Sequence, residues 1–330
     1  MAKFFPNLKS NYRCLILLLS CGWSCTIILC LYFKTTDMPL THNHVSKPAA
    51  CVQRKCAPDR EPTDWFCARY APTVQLLLNS RNSELSANVS SWWTRLFGNR
   101  DANYTTLVRN LFQLLPDQEH NSDPHRCRTC AVVGNSRNLL GSRYGPFIDS
   151  KDFVMRINRG STKGFEEDVG SKTTHRIFYP ESVGILNNST HLVFIPFKVW
   201  DFEWLIRVFT TKHTTKDCSK NLDIFHLQKN INKDKLMIVH PEFIKYVYVN
   251  WTEYHGYYPS TGFLAVIFAL HICDEVDVFG FGATKDGTWH HYFDKTLIPY
   301  TKTNHPGEFE YETISRLHSE KKLFMHKGWT

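Results

Sequence analysis

From Cys127 onward the chain repeats one texture six times: a short, almost unbroken apolar run, rich in β-branched residues and closed by Gly, Pro or a polar residue. The runs are AVVGN, DFVMRIN, HRIFYP, HLVFIPF, KLMIVHP and VDVFGFG. A strand with one wet face alternates apolar and polar residues, so runs without alternation predict strands covered on both faces. Between them lie segments of helical character: DFEWLIRVFTT from Asp201, PEFIKYVYV from Pro241 and TGFLAVIFALHIC from Thr261. Strands alternating with helices predict an α/β fold, layered α/β/α around a mostly parallel central sheet. The stretch from about 51 to 126 differs. Leu107, Leu111 and Leu114 fall at spacings of four and three, and Pro116 closes the segment, which predicts a helical cap ahead of a core spanning 127–330.

Residues 14–33 are a charge-free stretch of 20 residues; as a helix it reaches about 30 Å, the thickness of a bilayer's hydrocarbon core. Lys3, Lys9 and Arg13 precede it, and only Lys34 follows closely. The positive-inside rule therefore makes 1–13 a cytoplasmic tail, 14–33 a type II signal-anchor and the remainder lumenal. A cleaved signal peptide is the alternative, but its apolar core usually spans only about 7–15 residues. Residues 34–50 carry two prolines and no hydrophobic period, as suits a stem. Either route takes 51–330 into an oxidising lumen, where Cys51, Cys56, Cys67, Cys127, Cys130, Cys218 and Cys273 meet conditions that allow disulfides. Asn-x-Ser/Thr sequons at Asn88, Asn103, Asn187, Asn188 and Asn250 agree with that route, and the adjacent Asn187 and Asn188 are not expected both to be used. The net charge of +8 is spread without a Lys/Arg block or zinc-finger spacing, which suits anionic small molecules and points away from nucleic acid.

Ligands of a parallel sheet collect beyond the carboxyl ends of its strands, and three loops there carry distinctive chemistry. Gly134-Asn135-Ser136 combines close backbone approach with an amide that donates and accepts, although a tight turn uses the same residues. It lacks a dinucleotide fingerprint, since no glycine follows Gly134 until Gly141. Pro259-Ser260-Thr261-Gly262 opens an apolar helix, whose N-terminus either holds a phosphate or is merely capped by Ser or Thr. Trp289-His290-His291-Tyr292 follows the sixth run, and His305 precedes Glu310 by five positions. Histidines beyond the last core strand suit acid–base or anion-binding work. Adjacent His290 and His291 diverge along an extended chain and no Asp-x-Asp occurs, Asp201-Phe202-Glu203 reading as a helix start, so metal-free chemistry is expected. Asp274, Glu275 and Asp277 read as solvated punctuation between helix and strand.

These residues resemble a known family. Cys130 to Ser136, Asp149-Ser150, Asp152 to Asn158 and Asp168 to Thr174 are similar to the large motif of animal sialyltransferases. His240-Pro241, Tyr258 to Gly262 and Cys273 to Gly282 resemble the small motif, His291 to Asp294 the third, and His305 with Glu310 the very small one. The four motifs stand in the family's order and span most of 127–310, and the likeness runs strongest toward β-galactoside α-2,3-sialyltransferases acting on Gal-β1,3-GalNAc. It extends into the cap at Trp92-Trp93, which serve either as core anchors or as acceptor-cleft lining.

The resemblance implies a variant GT-A fold, a CMP-N-acetylneuraminic acid donor, galactose-terminated O-glycans of glycoproteins or glycolipids as acceptors, no metal cofactor and a Golgi membrane location. By position it assigns Asn135 and Asn158 to the nucleotide, and Tyr179 and Ser182 to the rest of the donor site. Ser260, Thr261 and Gly262 take ribose and phosphate, and Tyr258 takes the acceptor galactose. His291 assists CMP departure, and His305 is the base. It also implies a Cys130–Cys273 bridge, a small Cys51–Cys56 loop and, because Gln53 replaces one usual cysteine, a Cys67–Cys127 pair that leaves Cys218 over. Three departures matter: Phe97 stands where relatives have an acceptor-binding glutamine, segment 212–232 lacks their acceptor tyrosine, and Asp294 replaces a glutamate. Donor use is thus read more firmly than acceptor identity, and a glycan-binding or inactive homologue is the competing expectation.

Overall fold

Seven short strands run parallel in one sheet of order β5-β4-β3-β2-β1-β6-β7. They are β1 (Thr129–Val133), β2 (Phe153–Ile157), β3 (His175–Phe178), β4 (His191–Phe194), β5 (Leu236–Ile238), β6 (Glu275–Phe279) and β7 (Phe324–His326). The structure, a computed structural model, describes residues 64–97, 103–117, 127–184, 187–211, 231–285, 287–294 and 305–328. The expected tail, anchor and stem, Cys51, Cys56, Cys218 and residues 212–230 lie outside the described residues. Among the described residues no helix is long and apolar enough to cross a membrane.

The helices are α1 (Ala87–Arg95), α2 (Tyr104–Phe112), α3 (Gly145–Asp149), α4 (Glu166–Val169), α5 (Val199–Thr210), α6 (Pro241–Tyr246), α7 (Thr261–Ile272) and α8 (Gly307–Ser319). A π turn, Val247–Trp251, prolongs α6. The alternation of side chains along each strand explains the unbroken apolar runs. Cys130, Val132, Met155, Ile157, Ile177, Val193, Met237, Val276 and Val278 face one core shared with α7. On the opposite face, Phe178, Leu192, Phe194, Leu236 and Ile238 pack with Trp93, Val108 and Leu111 of the cap and with Phe202 and Leu205 of α5. Ala131, Val133, Val154 and Phe279 pack there with Ile148 of α3 and Val169 of α4. Both faces are dry, so neither needs polar residues. Ten of the twelve residues of α7 are buried, which is why its sequence shows no polar stripe.

The cap is less helical than its sequence pattern predicts. Between Val74 and Leu85 no helix forms; Leu77 instead bridges antiparallel to Val239, the Leu78 N–H donates to the Ile238 carbonyl at 2.8 Å, and the Leu76 carbonyl accepts from His240 at 3.0 Å. An uncovered strand edge exposes unpaired N–H and C=O groups, and this segment covers the β5 edge. At the other edge β7 adds a strand that three residues are too few to reveal by pattern. It also corrects the reading of Asp277, which is buried rather than solvated: His326 of β7 donates from Nε2 at 2.6 Å and Lys151 pairs with the second carboxylate oxygen. Burial opposes its ionisation, but those two partners hold the carboxyl below its ordinary value.

A disulfide joins Cys130 in β1 to Cys273 at the end of α7, with Cα atoms 6.1 Å apart across 143 positions of sequence. Cys67 and Cys127 are each disulfide-bonded as well. The chain moves outward from β1 to β5 and returns through α7 to β6 on the other flank of β1. That reversal opens a crevice at the carboxyl ends of β1 and β6, where open α/β sheets bind ligands.

Candidate active site

A cavity of about 520 Å³ occupies that crevice. The turns after β1 and β6 cross so closely that a Cβ on Gly134 would lie 2.3 Å from the Gly280 carbonyl oxygen, and Gly280 itself holds φ +68°. Asn135, next in line, donates from Nδ2 to the Ile157 carbonyl at 3.2 Å, and its own carbonyl accepts from Tyr292 at 2.9 Å. Asn158, just beyond β2, holds φ +53°, and its N–H donates to the Ile177 carbonyl at 2.8 Å. The Oδ1 atoms of Asn135 and Asn158 are both buried without a hydrogen-bond partner. A buried acceptor left empty costs about 1–3 kcal/mol, so two at the border of one cavity mark a place where ligand donors fit.

The opposite wall is the N-terminus of α7, where the Ser260 Oγ accepts from the Phe263 N–H at 3.1 Å. Ser260 in turn is held by Glu310 of α8, whose two carboxyl oxygens accept from its N–H at 2.7 Å and its hydroxyl at 2.6 Å. Burial pushes the Glu310 carboxyl up to about 7, against the lowering effect of those hydrogen bonds. His305 lies five residues before Glu310, and its Nδ1 donates to the Tyr258 carbonyl at 3.2 Å while its ring meets the Tyr258 ring edge-on at 4.7 Å. The two residues of the very small motif therefore grip the two ends of one tripeptide, Tyr258-Pro259-Ser260. Burial keeps the His305 imidazole below its ordinary value, and the hydrogen bond to Tyr258 opposes that shift. With the proton on Nδ1, Nε2 is the basic nitrogen of the neutral ring.

His291 borders the same cavity. Its backbone bridges to Ser136, and Asp294 Oδ2 accepts its N–H at 3.1 Å and lies 3.0 Å from its ring Nδ1. The third motif is thus pinned to the first loop, with Asp294 fixing the imidazole. On the remaining side the wall is aromatic. Tyr258 meets Phe97 at 5.0 Å and Phe197 at 5.3 Å, and Tyr179 meets Phe197 at 5.7 Å. Lys198, beside an ion pair with Glu181, stands over the Phe97 ring at 5.5 Å.

The structure thus brings Asn135, Asn158, Tyr179, Tyr258, Ser260, Thr261, Gly262, His291 and His305 around one cavity. Ser182 lies outside the lining, buried, with its hydroxyl on the Tyr179 backbone N–H and carbonyl at 3.0 Å each, where it shapes the turn that presents Tyr179. Trp93 is a core anchor whose Nε1 donates to the Pro196 carbonyl at 3.0 Å, and Trp92 lines a separate groove. Sequence reading missed Lys198, Glu181 and Phe197; the available signal was their place three or four residues beyond β3 and β4, at the carboxyl edge of the sheet where ligands collect. Of the sequons, Asn88, Asn103, Asn187 and Asn188 are exposed, whereas Asn250 is half-buried with Nδ2 donating to the Arg69 carbonyl at 3.2 Å.

Residues 77–322 match Glycosyltransferase family 29 (sialyltransferase). The chain is 42% identical over 292 residues to CMP-N-acetylneuraminate-beta-galactosamide-alpha-2,3-sialyltransferase 1 of Mus musculus, covering 86% of this chain and 85% of that protein. The protein of the same description from Homo sapiens is 39% identical over 323 residues, with 93% and 92% covered. The crystal structure of a mammalian sialyltransferase in complex with Gal-beta-1-3GalNAc-ortho-nitrophenol is similar at a TM-score of 0.70 and 41% identity, covering 84% of this chain and all of that one.

Proposed function

This chain belongs to glycosyltransferase family 29, the sialyltransferases, and from that premise we propose that it transfers N-acetylneuraminic acid from CMP-N-acetylneuraminic acid to the 3-hydroxyl of terminal galactose in Gal-β1,3-GalNAc glycans. One arrangement carries the reading. Both imidazoles border one cavity, each with Nδ1 engaged, at the Tyr258 carbonyl in His305 and at Asp294 in His291. That leaves the chemistry to Nε2 of each.

In this scheme the galactose 3-oxygen attacks the anomeric carbon of sialic acid and its proton passes to Nε2 of His305. The bond from that carbon to the phosphate oxygen breaks, and its electron pair leaves with CMP. Sialic acid carries its carboxylate on the same tertiary carbon, so the transition state is oxocarbenium-like while the phosphate gains negative charge. His291 donates a hydrogen bond from Nε2 to that phosphate, and the N–H groups at the start of α7 add fixed dipoles. Attack opposite the leaving group inverts the centre from β to α. No step needs a metal ion. Asn135 and Asn158 offer their empty Oδ1 acceptors to donor groups of the nucleotide, and Tyr258 and Tyr179 take the sugars. Residues 1–13, 14–33, 34–50 and 51–330 serve as tail, anchor, stem and lumenal catalytic part of a type II Golgi membrane protein.

Phe97 favours a second reading of the acceptor, because an aromatic ring in the wall cannot make the hydrogen bond that a glutamine makes. An acceptor panel with CMP-sialic acid and linkage analysis of the product tests both. The expected result is α-2,3-linked product on Gal-β1,3-GalNAc with release of CMP. Product confined to other galactosides establishes the altered acceptor, and no transfer to any galactoside sinks the enzymatic reading in favour of a glycan-binding homologue.

A further inference from the structure

Beside the active site a second groove of about 400 Å³ lies between α1 and the stretch from α6 to Tyr254, with Trp92, Arg95, Lys245 and Tyr254 among its walls. Its cations are gathered rather than dispersed. Arg95 donates from Nε to the Ser91 carbonyl at 2.7 Å, and Lys245 donates from Nζ to the Asn88 carbonyl at 2.8 Å. These carbonyls are three residues apart on α1, so both positive heads are drawn to one face of it. Neither cation forms an ion pair among the described residues, and Glu242, in the same groove, is not within ion-pair reach of them. Burial and the Arg95 charge together hold Lys245 below the ordinary lysine value. Like charges held together without a counter-ion cost energy and suit an anionic visitor.

The aromatic part of the groove is equally unusual for free surface. Trp92 stacks on Tyr248 at 5.3 Å, and Tyr254 meets Tyr248 edge-on at 5.5 Å while remaining 64% exposed. Glu253 and Tyr254 hold φ +48° and +63°, a region costly to residues with a side chain. The groove and the site are built on the same two stretches of chain. Helix α1 runs directly on to Phe97, and the Tyr254 loop runs directly on to Tyr258, whose ring meets Phe97 in the aromatic wall.

We propose that this groove binds the polypeptide carrying the acceptor glycan and selects acidic residues close to the glycosylated serine or threonine. The proposal rests on the reading of the site as one that sialylates Gal-β1,3-GalNAc. The test compares free Gal-β1,3-GalNAc with two glycopeptides of equal length, one with aspartates flanking the glycosylated threonine and one with asparagines there. It uses the intact protein and its Arg95→Ala, Lys245→Ala double variant; both side chains are at the surface and outside the catalytic cavity. The expected result is a KM about fivefold or more lower for the acidic glycopeptide, abolished in the double variant and by salt, with kcat and KM on the free disaccharide unchanged. Equal KM values for acidic and neutral glycopeptides overturn the proposal. So does an Asn88→Gln variant that newly acquires the preference, because the groove is then filled by the protein's own glycan. Failure to sialylate the free disaccharide strikes the reading of the site itself, and titration of the labelled glycopeptides against both proteins without donor then decides the groove separately.

Discussion

The wall that we assign to the nucleotide and the wall that we assign to the acceptor differ in what they are made of. The first consists of backbone and short side chains at strand ends: Gly134 against Gly280, the amides of Asn135 and Asn158, and the start of α7. Most of its shape follows from the sheet, because Gly134, Asn135, Asn158 and Gly280 each sit one or two residues past a strand whose register is fixed by dry packing on both faces, and the start of α7 closes the wall. The second consists of rings from distant parts of the chain, Phe97 after α1, Phe197 after β4 and Tyr258 before α7, that meet one another. One substitution in the first wall breaks a turn, whereas one in the second exchanges a contact. A fold of this kind can keep its donor and vary its acceptor.

His305 lies at the seam, holding Tyr258 of the acceptor wall while bordering the donor's cavity, so its variant gives the largest test of that division. His305→Ala should lower kcat by about 10²–10⁴-fold and leave donor affinity within about threefold, since a base acts on the acceptor hydroxyl. Because burial holds its imidazole below the ordinary 6.5 in the free protein, the acid limb of kcat/KM in the unaltered enzyme should fall below pH 6.5. Steady-state kinetics with donor titration checks both. A parallel loss of donor affinity would mean that the two walls are one unit.

Glu310→Ala should break the donor wall alone. It removes both acceptors from Ser260 and leaves a buried gap, at a cost of about 2–4 kcal/mol in stability together with a raised donor KM. Glu310→Gln retains the shape and removes the titration. In the unaltered protein the folded state keeps a proton on Glu310 up to about pH 7, whereas the unfolded chain releases it near 4.5. This group's contribution is therefore greatest below pH 4.5 and declines as pH rises to about 7. Thermal unfolding from pH 5 to 8 should show that decline, and Glu310→Gln should flatten it. An unchanged slope would place the titration elsewhere.

The same contrast explains what the sequence could tell. Six strands, α7 and the donor loops were legible, because unbroken apolar runs mark strands dry on both faces and Gly or Asn just beyond them marks the crevice. The four motifs in order made His291 and His305 legible as a pair. The grip of Glu310 on Ser260 was not, because a carboxylate five residues after a histidine does not reveal a partner fifty positions away. Strand β7 was too short to show a pattern, and with it went the burial of Asp277 against His326. The Leu76–Leu78 segment was hidden because covering a strand edge uses backbone groups, which every residue has. Helical spacing in the cap was real at Leu107 and Leu111, but it does not extend over the residues that pair with β5.

The smallest expected effect falls wholly on the acceptor wall. Phe97→Gln exchanges a ring that touches Tyr258 and Phe197 and lies beneath Lys198 for an amide of similar reach. One added hydrogen bond to galactose is worth about 0.5–1.5 kcal/mol, so kcat/KM for Gal-β1,3-GalNAc should rise about two- to tenfold. The lost ring contacts should lower stability by about 1 kcal/mol, visible as a slightly lower Tm. Donor KM should not move, because the ring contacts of Phe97 are with Tyr258 and Phe197 and its cation contact with Lys198, none of which is assigned to the nucleotide. If kcat/KM falls for Gal-β1,3-GalNAc and for every other galactoside in the panel, then the ring is itself the acceptor platform, used by stacking on a sugar face. The departure at Phe97 would then be a different solution to holding galactose rather than the loss of one.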